Sequence, residues 1–152
     1  MPEPSFRHLL TLTAHLERPQ MVAQTPVGGR KIVMVTGGTF EGERLRGKVL
    51  PGGGDWALTR DDGSLVLDVR LTLEAEDGDL IFVTYRGVRH GPDAVMKRLS
   101  AGEPVDPSEY YFRIAPLFET ASEKYGWLNR IICVGTGERL KAGPRYTIYE
   151  ML

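Results

Sequence analysis

Ser64–Leu73 reads SLVLDVRLTL, and its odd positions decide the fold. Leu65, Leu67, Val69, Leu71 and Leu73 lie on one face of an extended chain, with Val66, Asp68, Arg70 and Thr72 on the other, because successive side chains of a strand point to opposite sides. Asp61-Asp62-Gly63 precedes the run and Glu76-Asp77-Gly78 follows it, each pairing a turn-capping Asp with a Gly suited to positive φ. The run and its flanks predict a three-strand meander over residues 55–60 (DWALTR), 64–74 (SLVLDVRLTLE) and 79–86 (DLIFVTYR).

Outward from the meander, the same period marks strands near Arg7–Leu16, Lys31–Thr36, Tyr110–Glu119, Trp127–Gly135 and Arg145–Met151. One segment, GPDAVMKRLSAGE, reads as a helix. Pro92 suits its first turn, Asp93 complements the N-terminal dipole, Val95, Met96 and Leu99 form an apolar stripe, and Gly102 can end it. So many strands in a short chain must split into a sandwich or close, and closure removes the edges. The expectation is an all-β domain spanning residues 1–152, a single antiparallel barrel, closed or nearly so, of about 8–10 strands, with one short crossover helix near residues 92–101.

Composition narrows the partners. Lys and Arg number 19 against 20 Asp and Glu, a formal charge of −1, so no overall field draws in nucleic acid or an anionic membrane. No apolar stretch approaches the ~20 residues of a spanning helix. The N-terminal MPEPSFRHLLTLTAHLERP lacks the basic leader and long apolar core of a signal peptide, so a cytoplasmic protein is expected. The single cysteine, Cys133, sits in the apolar run IICV, where a buried thiol is expected, and one cysteine makes no internal disulfide. His8, His15 and His90 fall in no ligand spacing, so neither a metal nor another cofactor is expected.

Gly42-Glu-Arg-Leu-Arg-Gly47-Lys48 has the glycine and lysine spacing of a phosphate-binding loop. That loop also needs a hydroxyl for Mg²⁺ and a helix whose free N–H groups face the anion. Position 49 is Val, and LPGGGD follows, which cannot open a helix. The many glycines between Gly37 and Gly54 are left with two readings: tight barrel corners, or backbone that lets a ligand approach closely.

The succession GGTFEG, LRGKVLPGGGDW, DVRLTLEAEDGDLIFVTYRG, DPSEYYFRIAPLFET and KYGWLN closely resembles the DUF3237 family, also called UPF0311, from about Leu9 to Glu150. The resemblance implies a calycin-like (lipocalin-like) antiparallel barrel with a cavity at one end, often a homodimer. It implies no particular reaction.

A barrel of this kind offers an apolar cup and a few polar groups that fix a small-molecule ligand. Asp55 ends the triple glycine and is the candidate acid or base; a turn Asp bonding local N–H groups is the alternative. Arg70 is a candidate clamp for a carboxylate or enolate oxygen if the leucine face of SLVLDVRLTL packs outward; if the leucines fill the lumen, Asp68 and Arg70 are solvated charges. Arg113 shares a face with Tyr111 and could hold developing charge beside the phenol. Trp56, Tyr85, Tyr125, Trp127 and Asn129 complete the candidate ligand-binding set, as aromatic wall and amide donor. Two functions fit these groups: a cofactor-independent lyase, isomerase or cyclase acting on a small carbonyl or aromatic compound, or a carrier or sensor for a small hydrophobic ligand.

Overall fold

The computed structural model describes residues 2–152. Its strands are β1 (Phe6–Leu16), β2 (Gln20–Thr25), β3 (Gly28–Glu41), β4 (Arg46–Val49), β5 (Gly54–Thr59), β6 (Leu65–Ala75), β7 (Leu80–His90), β8 (Tyr111–Glu119), β9 (Cys133–Arg139) and β10 (Pro144–Met151), with one helix, α1 (Asp93–Ser100). Every strand pairing is antiparallel, in the order β1-β10-β9-β8-β7-β6, then β4 and β5 together, then β3, which returns to β1. The sheet is thus a closed barrel with eight positions around its wall, one of them filled by two short strands end to end. β2 lies outside the ring as a hairpin partner of β3.

The leucine face of β6 settles the orientation of the wall. Leu65, Leu67, Val69, Leu71 and Leu73 are all buried, and they meet Leu10, Leu12, Val35, Ile81, Val83, Phe112, Ile114 and Ile148 in one core inside the barrel. Filling a narrow lumen with branched side chains removes their apolar surface from water at about 25 cal/mol per Å², and the described residues form no second layer that could bury them outside.

Two strands escape the period-two expectation. β4 is four residues long and lies among glycines, and β2 is exposed along almost its whole length, so neither shows an apolar face in the sequence. The strand expected at Trp127–Gly135 is corrected: Gly126–Arg130 is a 3₁₀ turn that drops Leu128 into the core, and β9 begins only at Cys133. The helix lies where expected, with Val95 and Leu99 buried and Lys97 and Arg98 complementing its C-terminal dipole.

Glycine works here as a spacer between strands. A Cβ on Gly38, whose φ is +145°, would stand 2.1 Å from the Thr13 carbonyl oxygen of β1, and one on Gly47 would stand 2.0 Å from that of Glu74 on β6. The lysine of the apparent phosphate loop, Lys48, lies on β4 and pairs with Glu74 at 3.4 Å.

Candidate functional site

The barrel's two ends differ. One opens into a cavity of about 580 Å³ whose lining includes Lys31, Asp55, Tyr85, Arg89, Arg139 and Tyr146, set among Leu16, Val33, Leu65, Leu67, Leu99 and Phe112. Strand register places each polar group. Residues paired across antiparallel strands point to the same side, and Val69 pairs with both Asp55 and Tyr85, so these two share the inward face of β6. One inward step nearer the mouth, Lys31 pairs with Ala57; at the far end of the same faces Arg89 pairs with Leu65 and Phe112. Arg139 closes β9 opposite Pro144, and Tyr146 pairs with Gly137 and Leu12. Asp55 and the two tyrosines therefore lie deeper, and the cations nearer the rim.

Asp55 is held by a gap in the ladder. β5 and β6 pair at Asp55–Val69 and again at Leu58–Val66, but not between. There the Asp68 N–H donates to Asp55 Oδ1 at 3.0 Å, and Arg30 Nη1 donates to the Trp56 carbonyl at 2.7 Å. The carboxylate stands in for a missing backbone acceptor, which fixes its rotamer. Burial raises the Asp55 carboxyl above its ordinary range, opposed by the Asp68 amide and the positive charge of Lys31. Burial lowers Lys31, and the Arg89 charge adds to this; burial likewise lowers Arg89, with Arg139 repelling it.

Tyr85 and Tyr146 are fully buried and meet edge to face, ring centroids 5.2 Å apart. Burial raises both phenols, so both stay protonated and able to donate. The buried and half-buried polar groups of the cavity are thus one carboxyl, two phenols and three cations, and the exposed Glu17, Arg18 and Lys141 also line it. Among the described residues no group of three or more His, Cys, Asp or Glu side chains converges as a metal site, and no helix is long and apolar enough to cross a membrane.

Of the residues singled out in the sequence, Asp55 and Tyr85 line this cavity. The others lie elsewhere. Arg70 pairs with Thr84 on the outward face of β6, its guanidinium 5.5 Å from the Trp56 ring centroid, because the leucines occupy the lumen. Arg113 lies outside on β8, over the Tyr111 ring at 4.7 Å and donating to the Phe112 carbonyl at 2.9 Å, while Tyr111 stacks on His90. Tyr125, Trp127 and Asn129 belong to the opposite end of the barrel. Asn129 exchanges two hydrogen bonds with the Thr120 backbone, and the Tyr125 hydroxyl donates to Asp77 at 3.1 Å.

That opposite end is sealed. Glu150 is buried and accepts from Arg44 at 2.7 Å and Arg7 at 2.9 Å, with Arg44 stacked on Trp127 at 4.1 Å. Burial pushes the Glu150 carboxyl up, but the two guanidiniums outweigh it and hold the group below its ordinary range. Beside it the Cys133 thiol is raised to about 12, chiefly by burial, and is an inert core group.

Lys31, Arg89, Arg139 and Tyr146 also line the cavity without standing out in the sequence, though parity carries a signal. Lys31 continues the face of Val33 and Val35; Arg89 continues Ile81, Val83 and Tyr85 through Gly87.

Fold and site together define a closed antiparallel β-barrel with a charge-lined cavity opening at one end. Residues 4–151 match the family described as "Protein of unknown function (DUF3237)", and the chain belongs to it. A UPF0311 protein of Clostridium acetobutylicum is 34% identical over 150 residues, covering 98% of this chain and 95% of its own. The crystal structure of a conserved protein of unknown function from Rhodopseudomonas palustris superposes with a TM-score of 0.96 at 32% identity, over 100% of both chains. The hydroalkoxylation enzyme phnH of Penicillium herquei is 33% identical over 107 residues, covering 70% of this chain and 56% of its own.

Proposed function

We propose that the cavity binds a small, largely apolar carbonyl or aromatic compound and that Asp55 moves a proton at one of its carbons, in a cofactor-independent isomerisation, elimination or ring closure. One observation carries this reading: a carboxyl raised by burial lies deep in an open apolar cavity, on the same inward face as the phenol of Tyr85 and with Tyr146 beside it. A carboxyl whose pKa is raised by burial can serve as acid in one step and base in the next, and phenols that stay protonated can donate to an oxygen gaining charge.

The Penicillium relative supports a chemistry of this kind. Hydroalkoxylation adds an O–H across a carbon–carbon double bond: the C–O bond forms as the π bond breaks, one carbon gains a proton from an acid, and the hydroxyl proton passes to its conjugate base. Where the hydroxyl and the double bond belong to one molecule, the sum is an isomerisation with no other reactant consumed.

The test is a screen of unsaturated phenols and hydroxylated enones in D₂O, read by mass spectrometry. The expected result is an isomeric product carrying carbon-bound deuterium with the wild type, and loss of that product in Asp55→Asn with ligand binding retained. Compounds that bind and return unchanged, without deuterium, identify a carrier and overturn the catalytic reading.

A further inference from the structure

The two ends of the barrel treat buried charge differently. At the sealed end one buried carboxylate meets two guanidiniums, and the set is satisfied. At the open end the half-buried Lys31, Arg89 and Arg139 line one cavity with Asp55, with the exposed Glu17, Arg18 and Lys141 also in the lining, and none of the three half-buried cations makes an ion pair with a carboxylate among the described residues. Arg139 spends one donor on the Leu140 carbonyl at 3.0 Å. The Nε of Arg89 is buried with no hydrogen-bond partner, the only such side-chain atom among the described residues. Its guanidinium lies 5.7 Å from the Phe112 ring centroid, a contact that does not use the Nε–H donor.

Half-buried cations that pair directly with no carboxylate are costly, and a ligand that supplies the missing partner relieves that cost. Guanidiniums in particular present paired donors matched to two oxygens, or to one oxygen of a delocalised anion. We infer that the cavity takes an oxyanion, a carboxylate or an ionised enol or phenol, on an otherwise apolar body, and that Arg89 and Arg139 clamp it near the rim. Lys31 adds a third positive charge from β3. The apolar body then extends down past Leu65, Leu67 and Val33 toward Asp55, which sets the anion and the proton-transferring carboxyl at opposite ends of the ligand. The inference rests on the proposed reading of the cavity as a ligand site and adds the class of ligand.

Two probe pairs test it by calorimetry on the purified protein. 2-Naphthoate is compared with 2-naphthamide, its neutral counterpart; 2-hydroxy-1,4-naphthoquinone, an enol ionised at neutral pH, is compared with its 2-methoxy ether. The expected result is at least tenfold tighter binding of the anion in one or both pairs, and the pair that responds tells a carboxylate site from an enolate site. Arg89→Gln and Arg139→Gln should each weaken the anion at least tenfold and leave the neutral partner unchanged. Arg89→Lys, which keeps the charge and loses the fork, should fall between and guards against a misfolded Gln variant. Equal affinity for anion and neutral partner, no binding of any probe, or anion binding that survives in folded Arg89 and Arg139 variants overturns the inference. Failure here leaves the D₂O result for Asp55 standing, and anion binding without deuterium exchange removes only the catalytic reading.

Discussion

Asp55 and Tyr85 flank Val69 in register on three adjacent strands, so a carboxyl and a phenol that are 30 residues apart share one inward face of the wall. Nothing local to either residue produces this. It follows from the turns at both ends of β6, which set the pairing of β5 and β7 with it.

Asp55→Asn is expected to abolish proton transfer by about 10²-fold or more and to leave the fold intact, since an amide oxygen still accepts from the Asp68 N–H. Stability should rise. A carboxyl whose folded pKa is raised binds its proton more tightly in the native state, so that contribution is present at low pH and is lost as pH rises from the unfolded value through the folded one. At neutral pH, where the unfolded carboxyl is ionised, burying Asp55 is a cost that asparagine removes. A Tm for the variant no higher than the wild type at pH 7, by scanning calorimetry, contradicts this.

Tyr146→Phe and Tyr85→Phe separate the phenols. Both rings are core, so the shape is kept and the fold should survive in each. If the hydroxyls donate to substrate, at least one variant loses about tenfold or more in turnover, with little change in affinity for an apolar neutral probe. Equal loss of affinity and turnover would mean that the hydroxyls only hold the walls together.

Arg70→Ala and Arg113→Ala should leave ligand affinity and turnover unchanged and stability within about 0.5 kcal/mol, because both side chains lie on the outer face. A tenfold fall in affinity for either anionic probe in Arg70→Ala would require a different orientation of β6.

Glu150→Gln should destabilise at pH 7 by about 1 kcal/mol or somewhat more. The figure stays modest because Arg7 is half exposed and its share is screened by water. A folded pKa held below the ordinary range contributes stability that is present above the unfolded value, about 4.3, and is lost as pH falls through the folded one. Urea melts at pH 7 and pH 3 check this: the difference between wild type and variant should shrink on acidification, and a constant difference would make the loss one of packing.

The barrel was legible from β6 because an apolar face of alternating leucines admits one secondary structure and one side to bury. Asp55 was legible because three glycines isolate it. Arg89 was not, because a cation following Tyr85 and Gly87 reads as the end of a strand unless the count of odd positions is carried through the glycine; Lys31 was hidden in the same way at the start of a valine run. Arg70 and Arg113 drew notice as charges in distinctive blocks, but their faces depend on which side of the sheet closes inward, and that is a property of the whole ring. Asn129 resisted for another reason: a 3₁₀ turn of five residues and a strand share the same short run of aromatic and polar residues.

The sealed end, with Glu150 between two arginines and Leu128 plugging the floor, divides the labour of the chain. Closure of the ring is anchored far from the mouth, so the rim is spared the task of holding the barrel shut. Rim residues such as the half-buried Lys31 and the exposed Arg18 and Lys141 can therefore be exchanged to retune which molecules enter, at little risk to folding, which makes the open end the natural place to engineer selectivity.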